Sequence, residues 1–463
     1  MTIKLKDSFE GIKEFKPLSQ NEVKIYSCGP TVYKYVSIGN LRSFLFSDIL
    51  KKSLEYVGFK ISDVMNITDV GHLTTDGDEG EDKLEKEAIL NKFSVMELAE
   101  FYTNDFYKNI EKLNIRFPKI ISKASDNIDT QLEMIDILDS KGYVYKTSTG
   151  VYFDTSKYIG YEKLINQKGI DQKKYAREGV KKDKTKKNPQ DFRLWQTSYP
   201  NHILQWDSKW GRGFPGWHIE CSAIIYKFLG KEIDIHTGGI DLKSLHHVNE
   251  IAQSKAAFDS KFVNYWMHNE FVLSDGVKMS KSLNNAYLLS DLEKEGIPAI
   301  YLRYLYLNAH YSSLINFTFE SLRSAQNALD KIYNFIRLNI DSYDPSSLVN
   351  DHYKKLFIGK IENDIDTPGM LEVLWAVVKD NNISSSERIS TILDFDKVLS
   401  LNFLDCFNEK IPKEVLSLAD DRSKLRNNQD WKSSDEIREK INLLGYSIID
   451  LRDKYFLVKN KNA

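Results

Sequence analysis

Cysteine is scarce in this chain of 463 residues, which has three: Cys28, Cys221 and Cys406. Three thiols cannot form a disulfide framework, and an odd count suits a reducing compartment. Long apolar runs are absent as well. No stretch approaches the ~18 uninterrupted apolar residues of a membrane span. The opening MTIKLKDSFEGIKEF puts acidic residues where a secretory signal would need an apolar stretch, so a cytoplasmic chain with no membrane attachment is expected. Charge of one sign is missing too: 64 basic residues meet 66 acidic ones for a net charge of −2. That argues against a small histone-like nucleic-acid binder, although local basic patches stay open. Proline is limited to 10 residues while 41% of the chain is hydrophobic, which excludes a disordered or fibrous polypeptide.

What is present is an ordinary globular composition, long enough for about two to four domains. Basic charge is carried mostly by lysine, and it concentrates in KGIDQKKYAREGVKKDKTKK at 168–187, with nine Lys/Arg against three Asp/Glu. Such a run reads first as a solvated loop, with phosphate-backbone contact as the sharper alternative.

The segment Glu22–Tyr33 is extended in character and ends on a Cys-Gly-Pro turn. After Ser37-Ile38-Gly39-Asn40, a helical pattern places Phe46, Ile49, Leu50, Leu54 and Val57 on one face and stops at Gly58. Lys60–Thr68 reads as a second strand. Strand, turn, helix and strand in this order begin a parallel nucleotide-binding unit, with residues 37–42 facing the ligand. Residues 94–139 read as helical, 140–200 as mixed, and 319–404 as helical again. Strand signals return near 233–235 and 262–273, and a module of about 55 residues closes the chain.

Several clusters carry chemistry-bearing residues. The acidic run Asp76–Asp82 lacks the glycine that a calcium loop needs at its sixth position, where Glu81 stands, and so reads as a solvated loop. His246 and Glu250 are spaced i, i+4 and share one helix face, and Cys28 and Cys221 offer soft thiolates. The four suit tetrahedral zinc by donor type, but spacing alone cannot unite them, and buried structural roles remain open. His247 projects about 100° away and is the weaker donor candidate. Lys278 and Lys281, with Ser280 and Ser282, form a cationic turn of the kind that closes over phosphates.

Taken together, CGPTVY at 28–33, SIGN at 37–40, NITDVGH at 66–72, NPQDFRLW at 188–195, FPGWHIECSA at 214–223, DIHTGGIDL at 234–242, HHVNEIAQS at 246–254 and KMSKS at 278–282 resemble the cysteinyl-tRNA synthetases, a family of class I aminoacyl-tRNA synthetases. The late segment SKLRNNQDWKSSDEIREKI is similar to that family's anticodon-binding end. The resemblance implies an α/β fold in three parts. A Rossmann-type parallel-sheet catalytic domain would span 1–315, with an insertion at about 100–205 and a KMSKS-bearing stem-contact region at about 255–315. A helical-bundle tRNA-binding domain would follow at 316–405, and a small anticodon-recognition module at 406–463.

It further implies one Zn²⁺ per chain on Cys28, Cys221, His246 and Glu250, selecting the substrate thiolate. Gly29, Thr68, Trp217, His236 and Asp241 would line the cysteine pocket. Ser37, Gly39, Asn40 and Lys281 would bind ATP, and Lys278 and Lys281 would act in catalysis with Mg²⁺. The implied reaction is ATP-dependent activation of L-cysteine and transfer to tRNA(Cys) by a monomeric ligase. Arg422, Lys424, Arg426, Lys432 and Arg438 offer basic groups for tRNA at the C-terminal end. Two departures from the family pattern stand out: Ser37 replaces the first histidine of the HIGH signature, and Asn284 follows KMSKSL where glycine is common. Asn tolerates the left-handed conformation that glycine would take, so the second is benign.

Overall fold

A computed structural model of the chain describes residues 2–71, 83–91, 93–165, 184–197, 202–279, 285–407, 411–450 and 455–460. Chain contacts divide it into two compact units: residues 1–289 with 306–318 and 358–370, and residues 290–305 with 319–357 and 371–463.

The first unit opens with a short hairpin, β1 (Lys4–Asp7) and β2 (Gly11–Glu14), followed by β3 (Glu22–Ser27). The helix α1 (Ile38–Tyr56) then leads to β4 (Lys60–Ile67). Ser37 caps α1, its hydroxyl accepting the Asn40 amide, and Gly58 supplies the left-handed φ of 103° that turns the chain into β4. Thirteen residues of α1 are buried, so its apolar stripe is wider than the sequence pattern suggests, and Lys51 is among them. Its ammonium meets the Asp63 carboxylate of β4 at 2.7 Å, which satisfies two charges taken out of water together.

The helices α2 (Lys83–Asn91) and α3 (Val95–Lys112) come next, α3 opening on a capping box between Ser94 and Glu97. The continuous helix expected over 94–139 is interrupted. Ile120–Lys123 forms β5, paired parallel to β4 with Val64 opposite Ile120, before α4 (Ile128–Ser140) begins. Pro118 prevents helix continuation, and a four-residue apolar strand has no periodicity to distinguish it from a helix turn.

A four-stranded antiparallel sheet follows, with β6 (Val144–Lys146), β7 (Gly150–Phe153), β8 (Phe192–Gln196) and β9 (Phe214–Pro215), and α5 (Tyr161–Ile165) between the second and third strands. The Lys-rich run lies outside the described residues up to 183. At its end, Lys187 sits 4.4 Å over the Tyr145 ring and Lys186 5.7 Å over that of Tyr152, an ordered cation–π pairing on the sheet face. The acidic run Asp76–Asp82 also lies outside the described residues.

The chain returns to the central layer through α6 (Trp217–Leu229), β10 (Ile233–Gly239), α7 (Ile240–Lys243), α8 (His246–Phe258) and β11 (Val263–Asn269). The central sheet is parallel, in the order β11-β10-β3-β4-β5. Strand order reverses beside β3, so α1, which starts there, has its N-terminus at the crevice where such sheets bind ligands. The hairpin β12 (Val272–Ser274) and β13 (Val277–Lys278) then leads into KMSKS.

The second unit is mainly helical. It draws on α9 (Leu289–Lys294) and α10 (Ala299–Leu307). The chain passes back through the first unit, where β14 (Ile315–Phe317) pairs with β12, and then forms α11 (Phe319–Leu338), α12 (Asp351–Glu362), α13 (Thr367–Lys379) and α14 (Ser385–Leu399). In α11, Leu322, Ala325, Leu329, Ile332 and Ile336 form the buried stripe that the sequence pattern required. The chain ends with α15 (Lys413–Asn427), α16 (Trp431–Leu443) and the hairpin β15 (Tyr446–Asp450) with β16 (Tyr455–Lys459), joined over Val415, Ala419, Ile441, Tyr446, Ile448 and Leu457. Arg422 is fully buried there and drops out of the surface basic set, because α15 turns it inward. Cys406 is buried as well. Among the described residues no helix is long and apolar enough to cross a membrane.

Candidate active site

A cleft of ≈ 400 Å³ opens at the carboxyl ends of β3, β4 and β10. It is built from short segments that follow strands or begin helices, the positions from which an α/β sheet presents groups to a ligand. Cys28 and Gly29 follow β3, and Asn66 and Thr68 come from the end of β4. Trp217 and Cys221 lie in the first turns of α6, and His246 begins α8. Asn40 and Lys278 complete the opposite part of the lining.

Gly29 is required by close approach. A Cβ at this position would lie 1.6 Å from the Asn66 carbonyl oxygen, and the Gly29 amide donates to Asn66 Oδ1 at 2.8 Å. Asn66 Nδ2 in turn donates to Thr68 Oγ1 at 3.0 Å, and Thr68 donates to Glu220 Oε2 at 3.1 Å. This buried chain ties β3, β4 and α6 together at the cleft wall. Asn66 and Glu220 were not singled out from sequence, since an Asn in a strand and a Glu in a helix carry no local signature.

Cys28, Cys221, His246 and Glu250 each place one donor atom within 4.8 Å of the other three. His246 and Glu250 share a face of α8, as their spacing implied, with His246 Nε2 2.9 Å from Glu250 Oε1. Cys28 reaches them because β3 and β10 pair in parallel, and its amide donates to the Thr237 carbonyl at 3.1 Å. His247 is closer than a 100° offset suggests. Its Nε2 is 3.3 Å from Cys28 Sγ, and its Nδ1 is 2.6 Å from His268 Nε2. Cys28, His236, His247 and Glu250 therefore form a second cluster of donors, sharing two members with the first. Only the first brings both thiols together, and Cys28, Cys221 and His246 all line the cleft whereas His236 and His247 do not.

The electrostatics of the first cluster suit a cation. Burial opposes charge on Glu250, but the His236 and His246 imidazoles outweigh it and hold the carboxyl at about 2. Burial likewise opposes charge on His246, yet Glu250 and Cys221 push it up to about 10. Burial alone would raise Cys221, but the Cys28 thiol donating to it, together with His246, brings it down to about 6. Burial and the neighbouring Cys221 sulfur push Cys28 up. A thiolate, a carboxylate, a second thiol and an imidazole that gives up its proton when a metal displaces it are the N, O and S donor types that zinc takes tetrahedrally, so the residues present fit this ion.

Of the residues expected in the cysteine pocket, Gly29, Thr68, Trp217 and Asp241 line the cleft. His236 does not: it is fully buried behind the cluster, its Nε2 3.1 Å from Glu250 Oε2. Of the residues expected at ATP, Asn40 and Lys278 line the cleft, while Ser37 is buried and Gly39 packs toward Met279 with 3.4 Å from an ideal Cβ to its sulfur. Lys281 lies outside the described residues.

Arg42 was also missed by sequence reading. Fully buried in α1, it donates to the carbonyls of Glu270, Phe271, His310 and Ser313 at 2.7–3.1 Å. These carbonyls flank β12 and β14, so one guanidinium fixes the root of the hairpin that carries Lys278.

Comparison with known proteins agrees with this architecture. Residues 14–327 match the family model for the class I (C) tRNA synthetase catalytic domain. The chain is 38% identical to a cysteine–tRNA ligase of Treponema denticola, over 98% of this chain and 99% of that protein. It is 39% identical to cysteine–tRNA ligase 1 of Burkholderia lata, over 95% and 93% respectively. Among solved structures, the fold is similar to Mycobacterium tuberculosis methionyl-tRNA synthetase in complex with methionyl-adenylate, with a TM-score of 0.56 at 15% identity over 82% of this chain and 90% of that one. It is also similar to a leucyl-tRNA synthetase of Agrobacterium radiobacter K84 in a ternary complex with tRNA, with a TM-score of 0.59 at 10% identity over 85% of each chain. A parallel sheet with its cleft at the strand ends, a domain match across two thirds of the chain and near-complete overlap with named relatives lead to one assignment: the chain belongs to the cysteine–tRNA ligases, within the class I aminoacyl-tRNA synthetases.

Proposed function

We propose that the chain activates L-cysteine with ATP and transfers it to the 3′-terminal adenosine of tRNA(Cys). The observation that carries this reading is the set Cys28, Cys221, His246 and Glu250, whose donors lie within 4.8 Å of one another at one end of the cleft. These four residues would hold Zn²⁺, which supplies a soft Lewis-acid site that takes the substrate sulfur in preference to the serine hydroxyl. Cysteine and serine differ by a single atom, a difference that pocket shape alone discriminates poorly. His236 would act behind the site by orienting Glu250, and Gly29, Thr68, Trp217 and Asp241 would surround the amino acid.

In the activation step the cysteine carboxylate attacks the ATP α-phosphorus and pyrophosphate leaves. No protein nucleophile is needed; positioning and charge stabilisation carry the step. Lys278, with Lys281 beyond the described residues, would neutralise the departing phosphates, with Asn40 donating beside them. Mg²⁺ would contribute further positive charge at the phosphates. In the transfer step a ribose hydroxyl of the terminal adenosine attacks the carbonyl carbon of the adenylate and AMP leaves. Residues 316–405 and 406–463 would hold the tRNA, with 1–315 as the catalytic part.

The test is cysteine-dependent ATP–pyrophosphate exchange on protein of known zinc content, with serine as control. Exchange with cysteine alone, at close to one zinc per chain, is the expected result. Absence of exchange from zinc-loaded protein overturns the reading.

A further inference from the structure

Asn40 is exposed and lines the cleft, on the same wall system as Lys34 and Lys278. Ser37, one helical turn earlier, is 7% exposed and lies off the cleft lining. Its hydroxyl accepts the Asn40 backbone N–H at 3.3 Å and lies 2.7 Å from Asn40 Oδ1. A hydroxyl has one proton. Donating it to Oδ1 engages the oxygen end of the carboxamide and leaves the Nδ2 end to point elsewhere. The two ends of an Asn amide are nearly equal in size, so sterics alone do not choose between them; the partner does.

The choice has a chemical consequence in this cleft. Two lysine side chains in the lining mark it as a place for anionic groups. An amide NH₂ facing a phosphate donates to it, whereas an amide oxygen facing it repels it. From this geometry we propose that Ser37 is a positioning residue: its hydroxyl fixes the Asn40 carboxamide with its N–H donors toward the cleft, where they meet the phosphate chain of the nucleotide. The inference rests on the proposed activation reaction and gives Ser37 a role through Asn40 in place of direct contact with ATP. Among the described residues Ser37 lies off the cleft lining, and its hydroxyl meets the cleft-lining Asn40.

A double-mutant cycle tests it, using the full-length zinc-loaded enzyme with Ser37→Ala, Asn40→Ala, the double variant and Ser37→Thr. The readouts are kcat and KM for ATP in cysteine-dependent exchange, together with the thermal midpoint. Ser37→Ala should lower kcat/KM for ATP by roughly 5- to 30-fold, the range for one lost hydrogen bond to a charge-binding group. KM for cysteine should stay within about twofold, and Ser37→Thr, which keeps the hydroxyl, should restore most of the loss. In the Asn40→Ala background, Ser37→Ala should cost less than about twofold further, because no amide is left to orient. The thermal midpoint behaves differently. Ser37 also caps α1 through the Asn40 backbone N–H, which Asn40→Ala retains, so the same drop is expected in both backgrounds.

Equal kinetic losses in the two backgrounds would overturn the proposal and reduce Ser37 to a helix cap. If the wild type shows no exchange, the functional reading fails. The same cycle is then read in the Kd for ATP alone, where additive losses again overturn the positioning role.

Discussion

His236 offers the most direct test of how the donor cluster is held. It is fully buried in β10, its Nε2 lies 3.1 Å from Glu250 Oε2, and its ring stacks on Trp266 at 4.5 Å between centroids. Among the described residues its Nδ1 has no hydrogen-bond partner, so the interaction with Glu250 is the polar function of this side chain. His236→Phe keeps the ring volume and the stacking and removes that one contact. Glu250 then retains His246 on its other oxygen, at 2.9 Å, but loses the group that fixes its orientation. Loss of an outer hydrogen bond to a metal ligand typically costs 10- to 100-fold in affinity, or about 1.4–2.7 kcal/mol. The assay is zinc transfer to a chromophoric chelator at fixed pH, with Cys28→Ser as the variant that loses a donor outright. His236→Phe should fall between the wild type and Cys28→Ser, and cysteine-dependent exchange should fall with zinc occupancy and recover as zinc is added. Unchanged zinc affinity in His236→Phe, alongside clear loss in Cys28→Ser, would refute the argument that His236 supports the site through Glu250.

Other consequences follow from the same geometry. Arg42→Lys exchanges a guanidinium that serves four carbonyls for a single ammonium; urea denaturation should show a loss of about 2–4 kcal/mol, and KM for ATP should rise as the Lys278 hairpin loosens. Unchanged ATP kinetics would show that the hairpin does not depend on this anchor. Gly29→Ala puts a Cβ where only 1.6 Å separates it from the Asn66 carbonyl oxygen, so β3 and β4 must part at the cleft; zinc content and exchange should both collapse, and retention of either would mean the strand ends can yield. Trp431, 55% exposed with Arg426 5.3 Å over its ring, presents a stacking face in the C-terminal unit. Trp431→Ala should leave ATP–pyrophosphate exchange intact and weaken tRNA in the transfer reaction by about 1–3 kcal/mol, the worth of one stacked base, as read from KM for tRNA.

Local signals in the sequence carried much of the architecture. Gly58 ends α1 and turns into β4 because the chain needs a positive φ there, and the stripe of α11 follows the 3.6-residue period. Length and context defeated the same reasoning elsewhere. β5 is four residues long, too short to establish a period, and its identity comes from pairing with β4. Arg422 looked like a surface cation because a residue's charge is visible in sequence while the direction α15 turns it is not. Arg42 looked unremarkable because its four carbonyl partners are 228 to 271 residues away.

The active cluster shows the same boundary in sharper form. The i, i+4 spacing of His246 and Glu250 is local, and so it was legible. The approach of Cys28 is not: it depends on Ile25, Tyr26 and Ser27 pairing with Ile235, His236 and Thr237 in a parallel sheet whose strands are more than 200 residues apart. That one register explains both the donor set and the position of His236 beside Glu250. A side chain in β10 points to one face or the other, and the face that brings His236 to Glu250 takes it away from the cleft. A slip of one residue would exchange the two faces, sending His236 toward the substrate and breaking its contact with Glu250. Residue type and family resemblance could name His236 as part of the site, but only the register determines whether it touches the substrate or the residue behind it.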